Sequence, residues 1–134
     1  MLRYLLDTDI CIHVIKNRPP ELHALFNQRS EHLAISSVTL AELVYGAEKS
    51  ARREKNLDVV EGFAARLEVL AFGEKAAVHS GQIRAELARR GTPIGPYDVM
   101  IAGHARSEGL VVVSNNVREF ERVEGLRVEN WLGG

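Results

Sequence analysis

Four acidic residues stand where the chain could bring carboxylates together in one crevice. Asp7 closes an apolar run near the N-terminus, and Glu42 interrupts a largely apolar stretch of helical character. Asp98 follows a loop rich in proline, and Glu119 comes shortly after the most strongly β-branched run of the chain. Neighbouring carboxylates are the groups that hold hard divalent cations or carry out general acid–base catalysis. We therefore take these four acids as the candidate catalytic residues.

Three of the four acids also have an ordinary structural explanation. An acid at a strand-to-helix turn, as at Asp7, commonly caps the helix. An acid in the first turn of a helix, as at Asp98, is favoured by the helix dipole. Glu42 could point to solvent from the polar face of its helix. Residue by residue both interpretations stay open, and what decides between them is whether the four side chains meet.

A cluster of four carboxylates needs a positive charge nearby. Two unit charges about 4 Å apart repel by about 1 kcal/mol in water and by about 4 kcal/mol at an effective dielectric constant of about 20, so the pairs among four acids sum to roughly several kcal/mol. Oxygen ligands of this kind suit Mg2+ or Mn2+, which keep several waters and bind phosphates. A pair of such ions can activate a water and stabilise the leaving oxygen of a phosphodiester. The acids therefore indicate metal-dependent phosphodiester hydrolysis.

The surrounding elements predict an α/β fold with a mostly parallel central β-sheet and helices on both of its faces. Short apolar runs predict strands before Asp7 and at residues 33–36, 69–72, 110–114 and 127–131. Apolar residues at helical spacing predict helices at residues 10–16, 21–27, 38–49, 51–68, 74–90 and from Asp98 to 105. In such sheets the ligand crevice lies outside the carboxyl ends of the strands. Asp7 and the turn from Ser114 to Glu119 should therefore meet there.

The composition excludes several classes of protein. With 134 residues, of which 46% are hydrophobic and 26% charged, we expect a single globular domain over residues 1–134. A net charge of -1 argues against a generally basic protein that coats nucleic acid, so any contact with nucleic acid must be local. The single cysteine, Cys11, and His104 are expected in the core. The chain shows neither a signal peptide nor an apolar segment of about 20 residues, so we expect a cytoplasmic protein that does not span a membrane.

Four segments resemble, in order, the motifs of the PIN-domain family. They are Leu6-Asp7-Thr8, residues 35–43, Gly95-Pro96-Tyr97-Asp98 and residues 114–120. The likeness extends over essentially the whole chain, through residues 45–50 and 81–90. Within the family the chain is similar to VapC toxins, the ribonuclease halves of VapBC toxin–antitoxin pairs.

This resemblance implies a PIN-like three-layer fold and an endoribonuclease toxin that depends on Mg2+, or on Mn2+. The residues that match the family's catalytic and metal-binding positions are Asp7, Glu42, Asp98 and Glu119. Those that match its supporting polar positions are Thr8, Ser114 and Asn116. The implied substrate is structured RNA, with transfer RNA, and initiator transfer RNA in particular, as the favoured target.

The resemblance also implies partners. A VapB-type antitoxin would wrap the toxin and fill its active-site groove with a C-terminal segment. A homodimer would enter a higher toxin–antitoxin assembly, and contact with DNA would be made only through the antitoxin.

The roles within the site are a hypothesis. Asp7 and Asp98 hold the principal metal, Glu42 orients or deprotonates the attacking water, and Glu119 binds a second metal or its hydration shell. Asp9 adds a fifth acid where related toxins often have Asn. It could raise the affinity for the cation or cap the following helix, and we favour the cap.

Two other functions are compatible with parts of the sequence. Asp7-Thr8-Asp9 after a strand is similar to the aspartyl-phosphate motif of haloacid-dehalogenase-like phosphatases. That chemistry needs a lysine near the phosphate and a later pair of acids, whereas residues 110–114 lead into two asparagines. The other alternative is a PIN-like module that binds RNA or protein without cutting it, and the presence of all four acids argues against it.

Overall fold

In the computed structural model, which describes residues 1–132, parallel strands form one five-stranded sheet flanked by helices. The strands are β1 (Tyr4–Leu6), β2 (Leu33–Ser36), β3 (Glu68–Leu70), β4 (Val111–Val113) and β5 (Val128–Glu129). The helices are α1 (Thr8–Ile15), α2 (Pro20–Gln28), α3 (Ser37–Glu48), α4 (Arg53–Ala64), α5 (Glu74–Arg89), α6 (Pro96–Glu108) and α7 (Val117–Phe120), with one 3-10 turn at Ser30–His32. Every paired strand runs parallel to its neighbour, which confirms the predicted fold class.

The order of the strands creates a crevice between β1 and β4. Across the sheet the order is β3-β2-β1-β4-β5. The chain therefore moves outward from β1 to β3 and then returns to the other side of β1. Such a reversal is a topological switch point, and in open α/β sheets ligands bind at the carboxyl ends of the strands beside it. Any site of this chain is accordingly expected where β1 and β4 end.

The sheet separates two hydrophobic cores, which gives the predicted three layers. Successive side chains of a strand point to opposite faces. Tyr4 and Leu6 pack in the core under α1, α2, α3 and α4, whereas Leu5 packs in the core under α5, α6 and α7. Cys11 is fully buried in the first core, and His104 is 2% exposed, so both predictions of burial are confirmed. The Nδ1 atom of His104 lies 2.8 Å from the hydroxyl oxygen of Ser36.

The helices α5 and α6 approach each other closely at Gly103. A Cβ atom at Gly103 of α6 would lie 2.1 Å from Oγ and 2.6 Å from the backbone nitrogen of Ser80 in α5. Only glycine therefore fits at this crossing. The crossing packs α6, which carries Asp98 in its first turn, tightly against α5.

Several boundaries differ from those expected, including those of α6, which begins at Pro96 and ends at Glu108, and of β5, which is only Val128–Glu129. The predicted helix at 51–68 ends at Ala64, because Glu68 already pairs with Ala34 of β2 as the first residue of β3. The strand expected at 69–72 is correspondingly displaced toward the N-terminus. The short helix α7 was not predicted. Within residues 1–132, no helix combines the length and the apolar character that a membrane crossing requires.

Candidate active site

Asp7 lies at the carboxyl end of β1, with only 4% of its surface exposed. Its Oδ1 accepts a hydrogen bond from the backbone N–H of Thr8 (2.8 Å) and so caps α1. Its Oδ2 accepts a hydrogen bond from the hydroxyl of Ser114 (2.8 Å), which is fully buried just past β4. The backbone N–H of Asp7 donates to the carbonyl oxygen of Val113 (2.8 Å). Capping and a place in the crevice, which the sequence left as alternatives, are thus combined in one carboxylate.

Glu42 reaches the same crevice from α3. This helix is capped by the Ser36 hydroxyl, which accepts a hydrogen bond from the backbone N–H of Val38 (3.1 Å). Glu42 is half-buried, and its Oε1 accepts a hydrogen bond from the hydroxyl of Thr8 (2.6 Å). The hydroxyl of Thr8 also lies 3.2 Å from that of Thr39. The alternative of a solvent-facing Glu42 is therefore wrong.

Asn116 holds the other two acids together. Its side-chain amide donates hydrogen bonds to Oε2 of Glu119 (2.5 Å) and to Oδ2 of Asp98 (3.4 Å). Its backbone N–H donates to the hydroxyl oxygen of Ser114 (2.8 Å), which is the group bound to Asp7. A continuous chain of hydrogen bonds therefore runs from Asp7 through Ser114 and Asn116 to Asp98 and Glu119.

The pKa values show that these carboxylates share an environment. Burial, followed by the charge of Asp9, raises the pKa of Asp7 from 3.8 to about 7, although the hydrogen bonds from Ser114 and Thr8 act in the opposite direction. Burial, a hydrogen bond with Glu119 and the charges of Asp7, Glu119 and Glu42 raise the pKa of Asp98 from 3.8 to about 8. Both shifts oppose ionisation, so a nearby positive charge would be strongly favoured.

The donor atoms fit a hard divalent cation. Within residues 1–132, no group of three or more His, Cys, Asp or Glu side chains forms a complete metal site as the side chains stand. The crevice nevertheless offers only oxygen ligands, the type that Mg2+ and Mn2+ prefer. In addition, Oδ1 of Asp9 is buried and has no hydrogen-bond partner among the described residues. The residues that could hold such an ion are Asp7, Glu42, Asp98 and Glu119.

The predicted cap at Asp9 is wrong. The capping residue has an extended backbone and precedes the first helical residue. Asp7 meets this condition (φ -70°, ψ 158°), whereas Asp9 already lies in the first turn of α1. Oδ2 of Asp9 accepts a hydrogen bond from the backbone N–H of Asn115 (3.3 Å) instead. Asp9 therefore links α1 to the turn after β4.

One positioning residue was missed in the sequence. The guanidinium of Arg122, just past α7, donates a hydrogen bond to the carbonyl oxygen of Pro93 (3.1 Å) in the loop before Asp98. The guanidinium of Arg90 donates in turn to the carbonyl oxygen of Arg122. These bonds tie the loop that leads to Asp98 to the segment that carries Glu119. Nothing in the sequence marks such a contact between distant residues.

Comparisons with known proteins agree with this geometry. The model of the PIN domain matches residues 4–126. The chain is 62% identical over 131 residues to the tRNA(fMet)-specific endonuclease VapC of Salmonella typhimurium, covering 98% of this chain and 99% of that protein. It is 55% identical over 132 residues to Ribonuclease VapC2 of Haemophilus influenzae, covering 98% of this chain and all of that one.

Solved structures show the same fold. A crystal structure of DNA-bound VapBC from Salmonella typhimurium contains a chain with a TM-score of 0.94 and 62% identity, covering 98% of this chain and 99% of that chain. A structure of VapBC2 from Rickettsia felis bound to a promoter DNA fragment gives a TM-score of 0.91 and 37% identity, with 97% and 99% covered. The matches leave no support for a haloacid-dehalogenase-like phosphatase. Since the PIN model matches almost the whole chain and VapC proteins are similar to it from end to end, the chain belongs to the VapC group of the PIN-domain family.

Proposed function

We propose that the chain is the endoribonuclease toxin of a VapBC-type pair and hydrolyses a phosphodiester bond of transfer RNA, with initiator transfer RNA as the favoured substrate. The observation that carries this proposal is the gathering of Asp7, Glu42, Asp98 and Glu119 at the switch point through shared hydrogen bonds. The name of the Salmonella relative, a tRNA(fMet)-specific endonuclease, supports the choice of substrate.

The site would work with Mg2+, or with Mn2+, held by the four carboxylates. Such an ion supplies Lewis acidity toward water and toward the phosphate oxygens. Hydrogen bonds within the protein orient the Asp7 carboxylate before a metal or substrate binds. Ser114 and the backbone of Thr8 hold both oxygens of Asp7, so this carboxylate needs no reorientation when the substrate arrives. Preorganisation of this kind is a large part of what an active site contributes to rate.

Glu42 is suited to orient or deprotonate the attacking water. The Thr8 hydroxyl fixes one of its oxygens at 2.6 Å, which leaves the direction of the carboxylate defined. On the other side of the crevice, the Asn116 amide donates a hydrogen bond to each of Asp98 and Glu119. These two bonds allow two carboxylates to lie side by side despite their repulsion, because each receives a partial positive charge.

The proposed partner is a VapB-type antitoxin. The solved chains from Salmonella typhimurium and Rickettsia felis belong to VapBC complexes bound to DNA, and both match nearly all of this chain. A homodimer that assembles further with antitoxin, and that contacts DNA through it, follows from the same likeness. Co-expression with a VapB-type antitoxin, followed by measurement of the mass of the purified complex, tests this assembly.

Cleavage of labelled transfer RNA tests the proposed activity. The purified chain is mixed with initiator transfer RNA and with an elongator transfer RNA, in Mg2+, in Mn2+ and in excess chelator. Asp7→Asn removes a candidate ligand, and Asp58→Asn is a matched control, since Asp58 is exposed on α4. We expect discrete fragments that require the metal and that persist in Asp58→Asn but not in Asp7→Asn.

Three results would contradict the proposal. Undiminished cleavage in chelator would exclude the proposed dependence on a metal. Full activity of Asp7→Asn would exclude the assigned site. Binding of RNA without any cleavage under all metal conditions would show instead a PIN-like module that does not cut.

A further inference from the structure

We infer that Tyr97 is a stacking platform for an unpaired RNA base next to the scissile phosphate, and that Tyr45 is a second platform beside Glu42. The inference rests on the proposed function and adds a requirement on the substrate. The RNA must present, at the cleavage point, a single-stranded segment whose bases can leave their stack.

The exposure of these two rings is unusual within this chain. Tyr97 is 53% exposed and Tyr45 is 65% exposed, and they are the exposed aromatic side chains among residues 1–132. The other aromatic rings are buried or partly buried, as for Tyr4, which packs edge-on against Trp131 with 5.0 Å between ring centroids. Singly exposed apolar side chains are normal on a protein surface, so what sets these two rings apart is their position next to the acids of the site.

Both exposed rings are attached directly beside the acids of the site. Tyr97 is the residue before Asp98, in the first turn of α6, and Pro96 occupies the first position of that helix. A Cβ atom at Gly95 would lie 3.5 Å from Oδ2 of Asp98, so the backbone before the ring passes close to this carboxylate. The backbone of Tyr97 is thus held within the first turn of α6, next to Asp98.

Tyr45 lies near another acid of the site, Glu42, on the same helix. It follows Glu42 by three residues in α3, and residues three apart lie on the same face of a helix. The ammonium of Lys49 lies over one face of this ring, 4.7 Å from its centroid. A base would therefore stack on the opposite face, and the Lys49 charge would lie near its phosphate, a combination that single-strand-binding sites use repeatedly.

The charge of the chain favours local contacts with RNA. The net charge is -1, so the chain as a whole does not attract phosphates, and basic residues or a cation held by the acids would do so only locally. Stacking of bases on neutral rings is not opposed by the acids. In an A-form duplex the faces of the bases are covered by their neighbours, so only unpaired bases can use such rings.

Binding measurements with an RNA hairpin test the inference. All proteins carry Asp7→Asn, so the RNA is bound without being cut. The probe is a hairpin with 2-aminopurine in its single-stranded loop, and the reference is a blunt duplex of the same stem. Fluorescence anisotropy gives the Kd, and quenching of 2-aminopurine reports stacking.

The variants distinguish a requirement for an aromatic ring from a requirement for apolar surface alone. Tyr97→Leu keeps the apolar surface but loses the ring, whereas Tyr97→Phe keeps the ring. Because one stacked base contributes roughly a 5-fold to 150-fold change in affinity, we expect Tyr97→Leu to raise the Kd for the hairpin about 10-fold or more. Tyr97→Phe should bind as the parent does, and Tyr45→Leu should also weaken binding. Val78→Ala, at an exposed apolar site on α5, is the control and should have no effect.

Each outcome decides the matter. Parent-like hairpin affinity for Tyr97→Leu overturns the inference while leaving the proposed function intact, as does equal binding of the hairpin and the duplex. If Tyr97→Leu binds RNA normally but changes the mass of the protein in sedimentation, the ring belongs to a protein interface and the inference is again overturned. If Tyr97→Leu fails to fold, the parent alone suffices, because absence of 2-aminopurine quenching on binding rules out the stack. If the parent of this series, Asp7→Asn, binds no RNA, the proposed function is contradicted as well.

Discussion

Replacing Asp7 by Asn should make the metal-free fold more stable at high pH and less stable at low pH. Burial and the charge of Asp9 raise the pKa of Asp7 from 3.8 to about 7 in the folded chain, while the unfolded chain keeps the ordinary value. Between these two pH values the folded state keeps a proton that the unfolded state has lost. The free energy of unfolding therefore falls as the pH rises through this window and levels off above the folded pKa.

The size of the effect follows from the two pKa values and the hydrogen bonds. At about 1.4 kcal/mol for each pKa unit, ionisation of Asp7 costs the fold about 4 kcal/mol once the pH exceeds about 8. Asn carries no charge, but it cannot accept the hydrogen bonds of both Thr8 and Ser114, and losing one of them costs about 1 to 2 kcal/mol. We therefore expect a net gain of about 2 kcal/mol above about pH 8 and a net loss of about 1 to 2 kcal/mol near about pH 4.

Urea unfolding in excess chelator, followed by circular dichroism at several pH values, measures this difference. The quantity to compare is the free energy of unfolding of Asp7→Asn minus that of the parent, which includes the part of the Asp98 pKa shift that the charge of Asp7 causes. Asp58→Asn is the control and should show no change of sign with pH. A difference between Asp7→Asn and the parent that is the same at every pH would refute the view that the buried charge of Asp7 opposes folding.

Three further predictions concern the site and the packing that positions it. Thr8→Val removes the hydroxyl that fixes Glu42, and single-turnover cleavage should slow about 10-fold or more, since small misplacements of catalytic groups are costly; an unchanged rate would contradict this role. Mg2+ should raise the midpoint of thermal unfolding of the parent and leave that of Asp7→Asn nearly unchanged in calorimetry, and equal rises would exclude Asp7 as a ligand. Gly103→Ala should lower the free energy of unfolding in urea by about 3 kcal/mol. Gly81→Ala, whose new Cβ meets nothing within 4 Å, should instead stabilise α5 by about 0.5 to 1 kcal/mol. Similar effects of the two substitutions would argue against a tight crossing at Gly103.

The sequence alone was sufficient to locate the crevice. Apolar runs mark the strands, and the acid or hydroxyl after each run then lies at one edge of the sheet, because parallel strands end on the same side. Asp7 and Ser114 were predicted to meet on this basis, and they do. The helices carrying Glu42 and Asp98 were likewise found from their periodicity, with errors of a few residues at their ends.

The pairing of side chains could not be predicted in the same way. Asn116 was predicted as a supporting polar residue, but the helix α7 has only four residues, too few to show a helical period, so the bridge from Asn116 to Asp98 and Glu119 was not predicted. The hydrogen bond between Thr8 and Glu42 joins residues that are 34 positions apart in the chain. No residue next to either of them indicates that their side chains meet. Asp9 was misassigned because two acids stand at one turn, and only the backbone angles at Asp7 decide which of them caps.

The bond between Asp7 and Ser114 also sets when the protein can become active during its synthesis. The two residues are separated by 107 positions, so Asp7 cannot form this hydrogen bond until most of the chain has been synthesised. Strand β4 must then enter the sheet on the free side of β1, and the turn after it must close before Asp98 and Glu119 share an amide. A chain released before residue 114 can build β1, β2 and β3 but has no assembled site. The order of the strands thus withholds the proposed activity from every chain that ends before residue 114.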